Sequence, residues 1–129
     1  MQDFKTGITA GEIMDKNFPI IDSSLPLIKC VKKLNKNNEA CLVVKNGYFS
    51  GVLGHDEILR GFMYNKDKEM LIEKMKINKN YVVVGPNSDL FETLLLMKEN
   101  KANFVVVKRG KNFLGLITKK EIADVEILF

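Results

Sequence analysis

The chain has 129 residues, of which 46% are hydrophobic and 28% charged, and its formal net charge is +4. This composition is typical of a globular domain and excludes a disordered tail, and no apolar run approaches the roughly 20 residues that a membrane span needs. The first residues lack the basic and apolar regions of a signal peptide, so the sequence predicts a soluble, cytoplasmic protein.

Two cysteines and one histidine form no metal-binding pattern. Cys30 and Cys41 fall in apolar stretches, and we expect them to be buried free thiols. The sequence has no P-loop and no nucleophile paired with a base. We therefore predict a protein that is not an enzyme, with no catalytic residues, no metal ligands and no required cofactor.

The first half of the chain is predicted to contain a lead-in followed by a strand, a helix, two strands and a helix. The predicted strands are 20–21, 40–44 and 48–53, and the helices begin at Leu27 and Asp56. The lead-in holds a candidate turn at 10–14. Asn46-Gly47 is the dipeptide that most strongly indicates a two-residue hairpin between the last two strands.

The second half repeats this order. A predicted helix at 68–75 leads into strands 82–84, 102–107 and 113–117 and a closing helix at 119–128. Asp89 is expected to cap the helix between the first two of these strands, and Glu92 to complete a capping box. The valine runs favour strands that are covered on both faces.

The two halves align residue by residue, which is the mark of an internal repeat. Phe18 aligns with Tyr81 and Gly47 with Gly110 at one spacing, whereas Gly51 aligns with Gly115 at a spacing one residue longer. We expect the extra residue to lie in the hairpin turn. The alignment divides the chain into repeats at 1–66 and 67–129.

The segment Gly115-Leu116-Ile117-Thr118-x-x-Glu121-Ile122, with the repeated strand and helix order, resembles the cystathionine-β-synthase (CBS) domain family. The resemblance runs from about Thr9 to Leu128 and is to a tandem pair, or Bateman module. It implies an α/β (α+β) fold in which two βαββα repeats pack with pseudo-two-fold symmetry. Modules of this family commonly bind AMP, ADP, ATP or S-adenosylmethionine in two clefts between the repeats.

The resemblance also implies which residues line each cleft. The first cleft groups Thr118, Lys119, Lys120 and Glu121 with Asn17, Phe18 and Pro19. The second groups Gly54, His55, Asp56 and Glu57 with Asn80, Tyr81 and Val82. A threonine hydroxyl and backbone N–H groups at a helix start suit a phosphate, and a carboxylate one turn later suits ribose hydroxyls.

The chain departs from the family pattern at three of these positions. Glu57 and Glu121 stand where the family has aspartate, and Gly54 stands where it has threonine. The cleft with Thr118 and Lys120 is therefore predicted to be the better nucleotide site. Without a ligand, both glutamates would still stabilise a helix start, and Thr118 would be an N-cap.

Three functions remain open at this stage. The first is a regulatory, ligand-sensing module that binds an adenosine-containing nucleotide and acts on an unidentified effector protein or through a homodimer formed by its helix faces. The second is a ligand-free dimerisation scaffold with degenerate clefts. Nucleic-acid binding ranks lowest, because the basic residues of the last third lack interleaved aromatic side chains.

Overall fold

Two three-stranded sheets carry the fold, one in each half of the chain. The computed structural model describes residues 4–34, 38–67, 69–77 and 79–128. In chain order the elements are α1 (Ala10–Ile13), β1 (Ile20–Asp22), α2 (Leu27–Lys33), β2 (Ala40–Lys45), β3 (Tyr48–Gly54), α3 (His55–Asn65), a 3-10 turn (Ile72–Lys74), β4 (Tyr81–Val84), α4 (Leu90–Asn100), β5 (Phe104–Arg109), β6 (Asn112–Ile117) and α5 (Lys119–Leu128). The predicted order of strand, helix, strand, strand and helix is confirmed in both repeats.

The chain divides into two compact units that do not coincide with the two halves of the sequence. The contiguous unit consists of residues 18–79, and the discontinuous unit consists of residues 1–17 together with 80–129. The repeat boundary predicted at residue 66 describes the order along the chain and stays a prediction. The segment that precedes β1 (residues 1–17) thus belongs with the second repeat, and the segment that precedes β4 (residues 67–79) belongs with the first. We call these two segments the lead-ins.

The contiguous unit is built on the sheet β1-β2-β3, in which β1 is parallel to β2 and β2 is antiparallel to β3. Alternate strand residues and the inner faces of α2 and α3 form its core, as the period of two in a strand requires. The buried members of this core are Ile21, Leu27, Cys30, Cys41, Val43, Leu53, Ile58 and Ile72. Both cysteines are buried free thiols, as predicted.

The discontinuous unit repeats this plan with the sheet β4-β5-β6. Its buried core residues are Ala10, Val82, Val84, Met97, Val105, Val107 and Ile117, and Ile13 and Met14 of the lead-in pack against them. Each fully buried valine or isoleucine contributes about 1.5–3 kcal/mol. The lead-in is therefore part of this core and not an accessory to it.

The same backbone hydrogen bonds attach a lead-in segment to each unit. In the discontinuous unit, Ala10 N donates to Ser88 O (2.8 Å) and Gly11 N to Pro86 O (2.8 Å). In the contiguous unit, the corresponding bonds run from Ile72 N to Leu25 O (3.0 Å) and from Glu73 N to Ser23 O (2.8 Å). The starts of the two helices are bonded to the lead-ins in the same way, since Leu90 N donates to Ile8 O and Leu27 N donates to Met70 O. Residues 8–11 and 70–73 are therefore structural equivalents.

The prediction of a helix at 68–75 is wrong, and the attachment of this segment explains why. Only Ile72–Lys74 form a 3-10 turn, and Leu71 and Met75 on either side have extended backbones. The segment directs its backbone groups to the loop between β1 and α2, so they are not available for a longer helix. Lys68 lies outside the described residues.

Asp89 caps α4, but the predicted capping box is incomplete. Its carboxylate accepts hydrogen bonds from Phe91 N (2.8 Å), Thr6 N (3.0 Å) and Gly7 N (3.0 Å). Among the described residues no bond returns from Glu92. Partial desolvation raises the pKa of Asp89, but these hydrogen bonds outweigh it and hold that pKa below its usual value. The carboxylate thus ties the lead-in to the helix it caps.

The extra residue between the repeats does not lie in the hairpin turn. Strands β2 and β5 have the same length and the same burial pattern, and both turns place a left-handed residue directly after the strand, Asn46 (φ 53°) and Gly110 (φ 60°). Asn46 is therefore equivalent to Gly110. The spacing changes earlier, between the helix and the second strand of each repeat, where residues 35–37 lie outside the description.

No helix within the described ranges is long and apolar enough to cross a membrane.

Candidate functional site

In the discontinuous unit, three strand ends meet at one end of the sheet. Val82 pairs with Val105, and Val105 pairs with Ile117. Tyr81 at the start of β4 and Thr118 after the end of β6 therefore lie at the same sheet end. Asn80 is held there because its carbonyl accepts bonds from Asn103 N (2.9 Å) and Phe104 N (3.2 Å). The end of this sheet is the candidate ligand site.

The start of α5 is closed by hydrogen bonds of its own side chains. Thr118 is only 4% exposed, and its backbone N (2.6 Å) and hydroxyl (2.8 Å) both donate to Oε1 of Glu121. The same hydroxyl accepts from Lys120 N (3.3 Å). The bond from Thr118 N to Glu121 is the returning half of a capping box, and the bond from Lys120 N to the hydroxyl is an N-cap bond. The N-cap role considered for Thr118 is therefore present, and one oxygen of Glu121 is fully engaged.

Glu121 sits in an environment that disfavours its charge. Burial raises the pKa of its carboxyl, and the nearby Asp15 carboxylate raises it further, while the hydrogen bonds from Thr118 act in the opposite direction. Asp15 is fixed by a pair of backbone bonds with Leu116 (2.9 and 3.1 Å). The corner of this site thus carries two neighbouring carboxylates.

The contiguous unit has the corresponding sheet end, with one half of the capping box. Glu57 accepts a bond from Gly54 N (2.8 Å), and Gly54 has no hydroxyl to add a second. Pro19 lies at the same end, because its carbonyl accepts from Leu42 N (2.9 Å). His55 is the exposed first residue of α3. The two helix starts differ by this hydroxyl, and their predicted inequality as ligand sites stays a prediction.

The predicted site residues divide between the two units. Thr118, Lys119, Lys120, Glu121, Asn17, Asn80 and Tyr81 belong to the discontinuous unit, and Phe18, Pro19, His55 and Glu57 belong to the contiguous unit. Within each unit, the helix start shares its sheet end with the first strand of the same repeat. The groupings across units, 118–121 with 17–19 and 54–57 with 80–82, stay predictions.

Asp15 is the site residue that sequence reasoning missed. It lies between Met14 and Asn17 in the lead-in, and its Oδ1 accepts a bond from Asn17 N (2.8 Å) in an Asx turn. An aspartate two residues before a turn-forming asparagine is a recognisable turn signal. Its position beside Glu121 follows from the exchange of lead-in segments, which no local pattern indicates.

No cluster of three or more histidine, cysteine, aspartate or glutamate side chains that could hold a metal occurs in the part of the chain that the structure describes.

Several solved structures share this fold at low sequence identity. An uncharacterised conserved protein from Pyrococcus horikoshii superimposes with a TM-score of 0.80 at 16% identity, covering 97% of this chain and 95% of the other. A CBS domain-containing protein of unknown function from Kribbella flavida DSM 17836 gives 0.73 at 16% identity, with coverage of 92% and 99%. The CBS domain pair of protein MJ0100, solved with 5′-methylthioadenosine and S-adenosyl-L-methionine, gives 0.77 at 17% identity, with coverage of 92% and 95%.

No curated protein matches the sequence. The family model of the CBS domain matches it twice, at residues 10–64 and 72–127. These two ranges contain both sheets, and CBS pairs are regulatory modules. The chain therefore belongs to the CBS-domain family and contains a tandem pair of its domains.

Proposed function

We propose that this CBS pair is a cytoplasmic regulatory module that senses an adenosine-containing ligand at the sheet end formed by Thr118–Glu121, Asn80 and Tyr81. The observation that supports this most directly is Glu121, a half-buried carboxylate whose charge is disfavoured by burial and by the nearby Asp15 carboxylate. A ligand hydroxyl that donates to its Oε2 would relieve this cost. The bound form would then act on a partner protein.

The charges at this corner favour some adenosine ligands over others. Asp15 and Glu121 are both carboxylates, and they repel a polyphosphate while attracting hydroxyl donors and cations. Lys119 and Lys120 at the helix start offset part of this repulsion for a single phosphate. We therefore rank S-adenosylmethionine and methylthioadenosine, which carry a ribose and no phosphate, above AMP, and AMP above ADP and ATP.

The sequence-based grouping differs from this one. It places Asn17, Phe18 and Pro19 with Thr118–Glu121, and it assigns Asn80 and Tyr81 to the weaker second site with His55 and Glu57. Phe18 and Pro19 are half-buried and would offer apolar surface to an adenine ring. Replacing Phe18 by alanine distinguishes the two groupings: it should weaken binding by about tenfold, the loss of one ring contact, in the sequence-based grouping and leave binding unchanged in the other.

The test is a thermal-shift series with S-adenosylmethionine, methylthioadenosine, AMP, ADP and ATP. A ligand present at about a hundred times its dissociation constant stabilises the folded state by about 2.7 kcal/mol. Glu121→Gln keeps an oxygen that accepts from Thr118 but removes the charge, so it is expected to abolish the shift. Glu57→Gln is the matched control at the other helix start and is expected to retain it.

The result that would overturn the proposal is the absence of a shift with every adenosine compound. A shift that Glu57→Gln abolishes and Glu121→Gln preserves would instead move the site to the contiguous unit.

A dimerisation scaffold is the second candidate, and the surface of α3 favours it. This helix carries three exposed apolar side chains, Leu59 (58% exposed), Met63 (65%) and Tyr64 (84%). Leu59 and Met63 lie one turn apart on one helix face and suit a homodimer through that face.

This candidate is tested by light scattering after size exclusion. The native chain is expected to elute as a dimer, and the double variant Leu59→Lys/Met63→Lys as a monomer. Arg60→Ala is the control, because its polar side chain on the same helix is not needed for an apolar contact. A native monomer at millimolar concentration would exclude this surface as a homodimer interface.

A further inference from the structure

A cavity of about 180 Å³ lies within the contiguous unit, at the end of its sheet opposite the helix start. Its walls come from the end of β2, the middle of β3, the residue after β1 and the lead-in segment around the 3-10 turn. Val43 and Ile72 provide apolar wall, and Ser23, Lys45, Ser50 and Glu73 provide the polar groups. At about 30 Å³ for each water, the volume corresponds to about six water molecules.

One polar group of this wall has no partner in the folded chain. Ser23 is 3% exposed, and its Oγ is buried without a hydrogen bond to any described residue. Its backbone is satisfied, since its N donates to Val44 O and its carbonyl accepts from Glu73 N (both 2.8 Å). A buried hydroxyl without a partner is costly, and such a group commonly marks a bound water or ligand.

Two opposite charges line the same cavity without pairing. Lys45 ends β2, Glu73 lies in the 3-10 turn, and both are exposed. Neither forms an ion pair within the described ranges. Ser50, the third polar group near them, is the extra residue of the bulge in β3, where the register shifts between Val43 and Val44. A bulge turns a side chain out of the regular alternation, and here it adds a hydroxyl to the cavity.

The second repeat shows that the fold does not require these polar residues. The lead-in hydrogen bonds make Pro86 equivalent to Ser23 and Gly11 equivalent to Glu73. The bulge between Val107 and Lys108 makes Leu114 equivalent to Ser50. The same backbone therefore accepts proline, glycine and leucine at positions where the first repeat has a hydroxyl, a carboxylate and a second hydroxyl.

From this we propose that the cavity of the contiguous unit binds a small α-amino acid as a zwitterion. The ligand carboxylate contacts the ammonium group of Lys45, and the ligand ammonium group contacts the carboxylate of Glu73. The serine hydroxyls supply further hydrogen bonds, with Ser23 gaining the partner it lacks. The apolar wall of Val43 and Ile72 favours a short aliphatic side chain. This site is separate from the proposed adenosine site and does not depend on it.

The experiment is a titration of the full ¹⁵N-labelled chain with L-alanine, followed by the amide signals of Ser23, Val43, Ser50 and Glu73. We expect saturable shifts confined to these and neighbouring amides. Propionate and ethylamine, which each carry one of the two charges, are expected to bind at least about tenfold more weakly, the loss of one charged hydrogen bond.

Variants at the charged positions test the assignment of the two ends. Glu73→Gln and Lys45→Met preserve side-chain size at exposed positions and are each expected to weaken alanine binding by about tenfold or more. Arg109→Met, the equivalent of Lys45 in the second repeat, is the matched control and should leave binding unchanged. Ser50→Leu copies the second repeat and should fill the cavity and abolish binding.

Three outcomes would overturn the proposal. No localised shift with alanine at a concentration of tens of millimolar would mean that the cavity holds water only. Binding that survives both Glu73→Gln and Lys45→Met would exclude recognition of the two charges. Equal binding of propionate and alanine would exclude a zwitterion. Native-like spectra of the variants establish that any loss of binding does not result from unfolding.

Discussion

In the discontinuous unit Met14 lies against Gly115, whereas in the contiguous unit Ile77 leaves Gly51 room. A Cβ atom added at Gly115 would come within 2.5 Å of the Met14 side chain, but one added at Gly51 would lie 3.8 Å from Ile77. The two glycines occupy the same position, directly after the extra residue of a strand bulge. Identical backbone hydrogen bonds thus place the lead-ins, and the side chains decide whether the space beneath is filled or open.

The largest expected effect comes from removing residues 1–17. Because Ala10, Ile13 and Met14 belong to the core of the discontinuous unit, the truncated chain should lose the cooperative unfolding of that unit. Hydrogen exchange is the measurement: amides of Val82 and Val105 should lose protection. Val43 and Leu53 in the contiguous core serve as the internal control. Unchanged protection of Val105 would show that the lead-in is dispensable.

A pair of alanine substitutions compares the two glycines directly. Gly115→Ala is expected to lower the free energy of unfolding by about 1–3 kcal/mol, because Met14 and the backbone that carries it must shift. Gly51→Ala should change it by less than about 0.5 kcal/mol. Urea denaturation of both variants measures the difference. Equal effects would mean that the lead-ins pack equally closely in the two units.

Thr93 and Cys30 occupy equivalent buried helix positions. Substitutions there should lower the free energy of unfolding by less than Gly115→Ala does. The Thr93 hydroxyl donates to Asp89 O (3.1 Å), so Thr93→Val should cost about 1 kcal/mol. Cys30→Thr should cost less, because a hydroxyl there can donate to the carbonyl of Pro26, four residues earlier. A greater loss for Cys30→Thr in urea denaturation would contradict this equivalence.

The thiol of Cys30 adds a chemical readout to that comparison. Its hydrogen bond with the Cys41 thiol, together with burial, raises its pKa. A thiol of raised pKa at a buried position reacts slowly, so alkylation of Cys30 should proceed only through unfolding. The rate of alkylation should therefore follow the unfolding equilibrium of the contiguous unit.

The smallest expected effect concerns the pH dependence of stability at Glu121. Its pKa is raised in the folded state, so the folded protein binds the proton more tightly than the unfolded chain does. The free energy of unfolding therefore falls as the pH rises from about the ordinary value of 4.5 through the folded pKa. Glu121→Gln should remove this slope between pH 4 and 7, and Glu57→Gln should retain it. An identical slope in both variants would assign it to another group.

Local signals in the sequence were sufficient for the strands, the hairpins and the helices that follow them in each repeat. The valine runs, the hairpin turns and the cap at Asp89 all fall where they were expected, because each depends on residues close together in the chain. The spacing of the repeats was misjudged at Asn46-Gly47, since aligning glycine with glycine ignored that asparagine also adopts the left-handed conformation. Hairpin length is set by backbone geometry, which Asn46 and Gly110 satisfy equally.

Long-range placement could not be predicted in the same way. The apolar residues Met70, Leu71 and Met75 fit a helix as well as they fit an extended lead-in. Only the backbone bonds between this segment and the loop after β1, such as that from Ile72 N to Leu25 O, decide between the two. Asp15 lies near Glu121 because residues 1–17 pack with the second repeat. The cavity beside Ser23 exists because no large side chain fills it. A periodic pattern in the sequence does not indicate such an unfilled space.

The exchange of lead-ins also sets an order on folding during synthesis. The contiguous unit is complete once residue 79 has emerged from the ribosome, so it can fold while the rest of the chain is being made. The lead-in up to residue 17 is translated before this unit, but the strands that it packs against are translated after it. Its apolar residues Ile13 and Met14 must remain uncovered through the synthesis of the intervening unit. The core of the discontinuous unit can therefore close only after the contiguous unit has been translated.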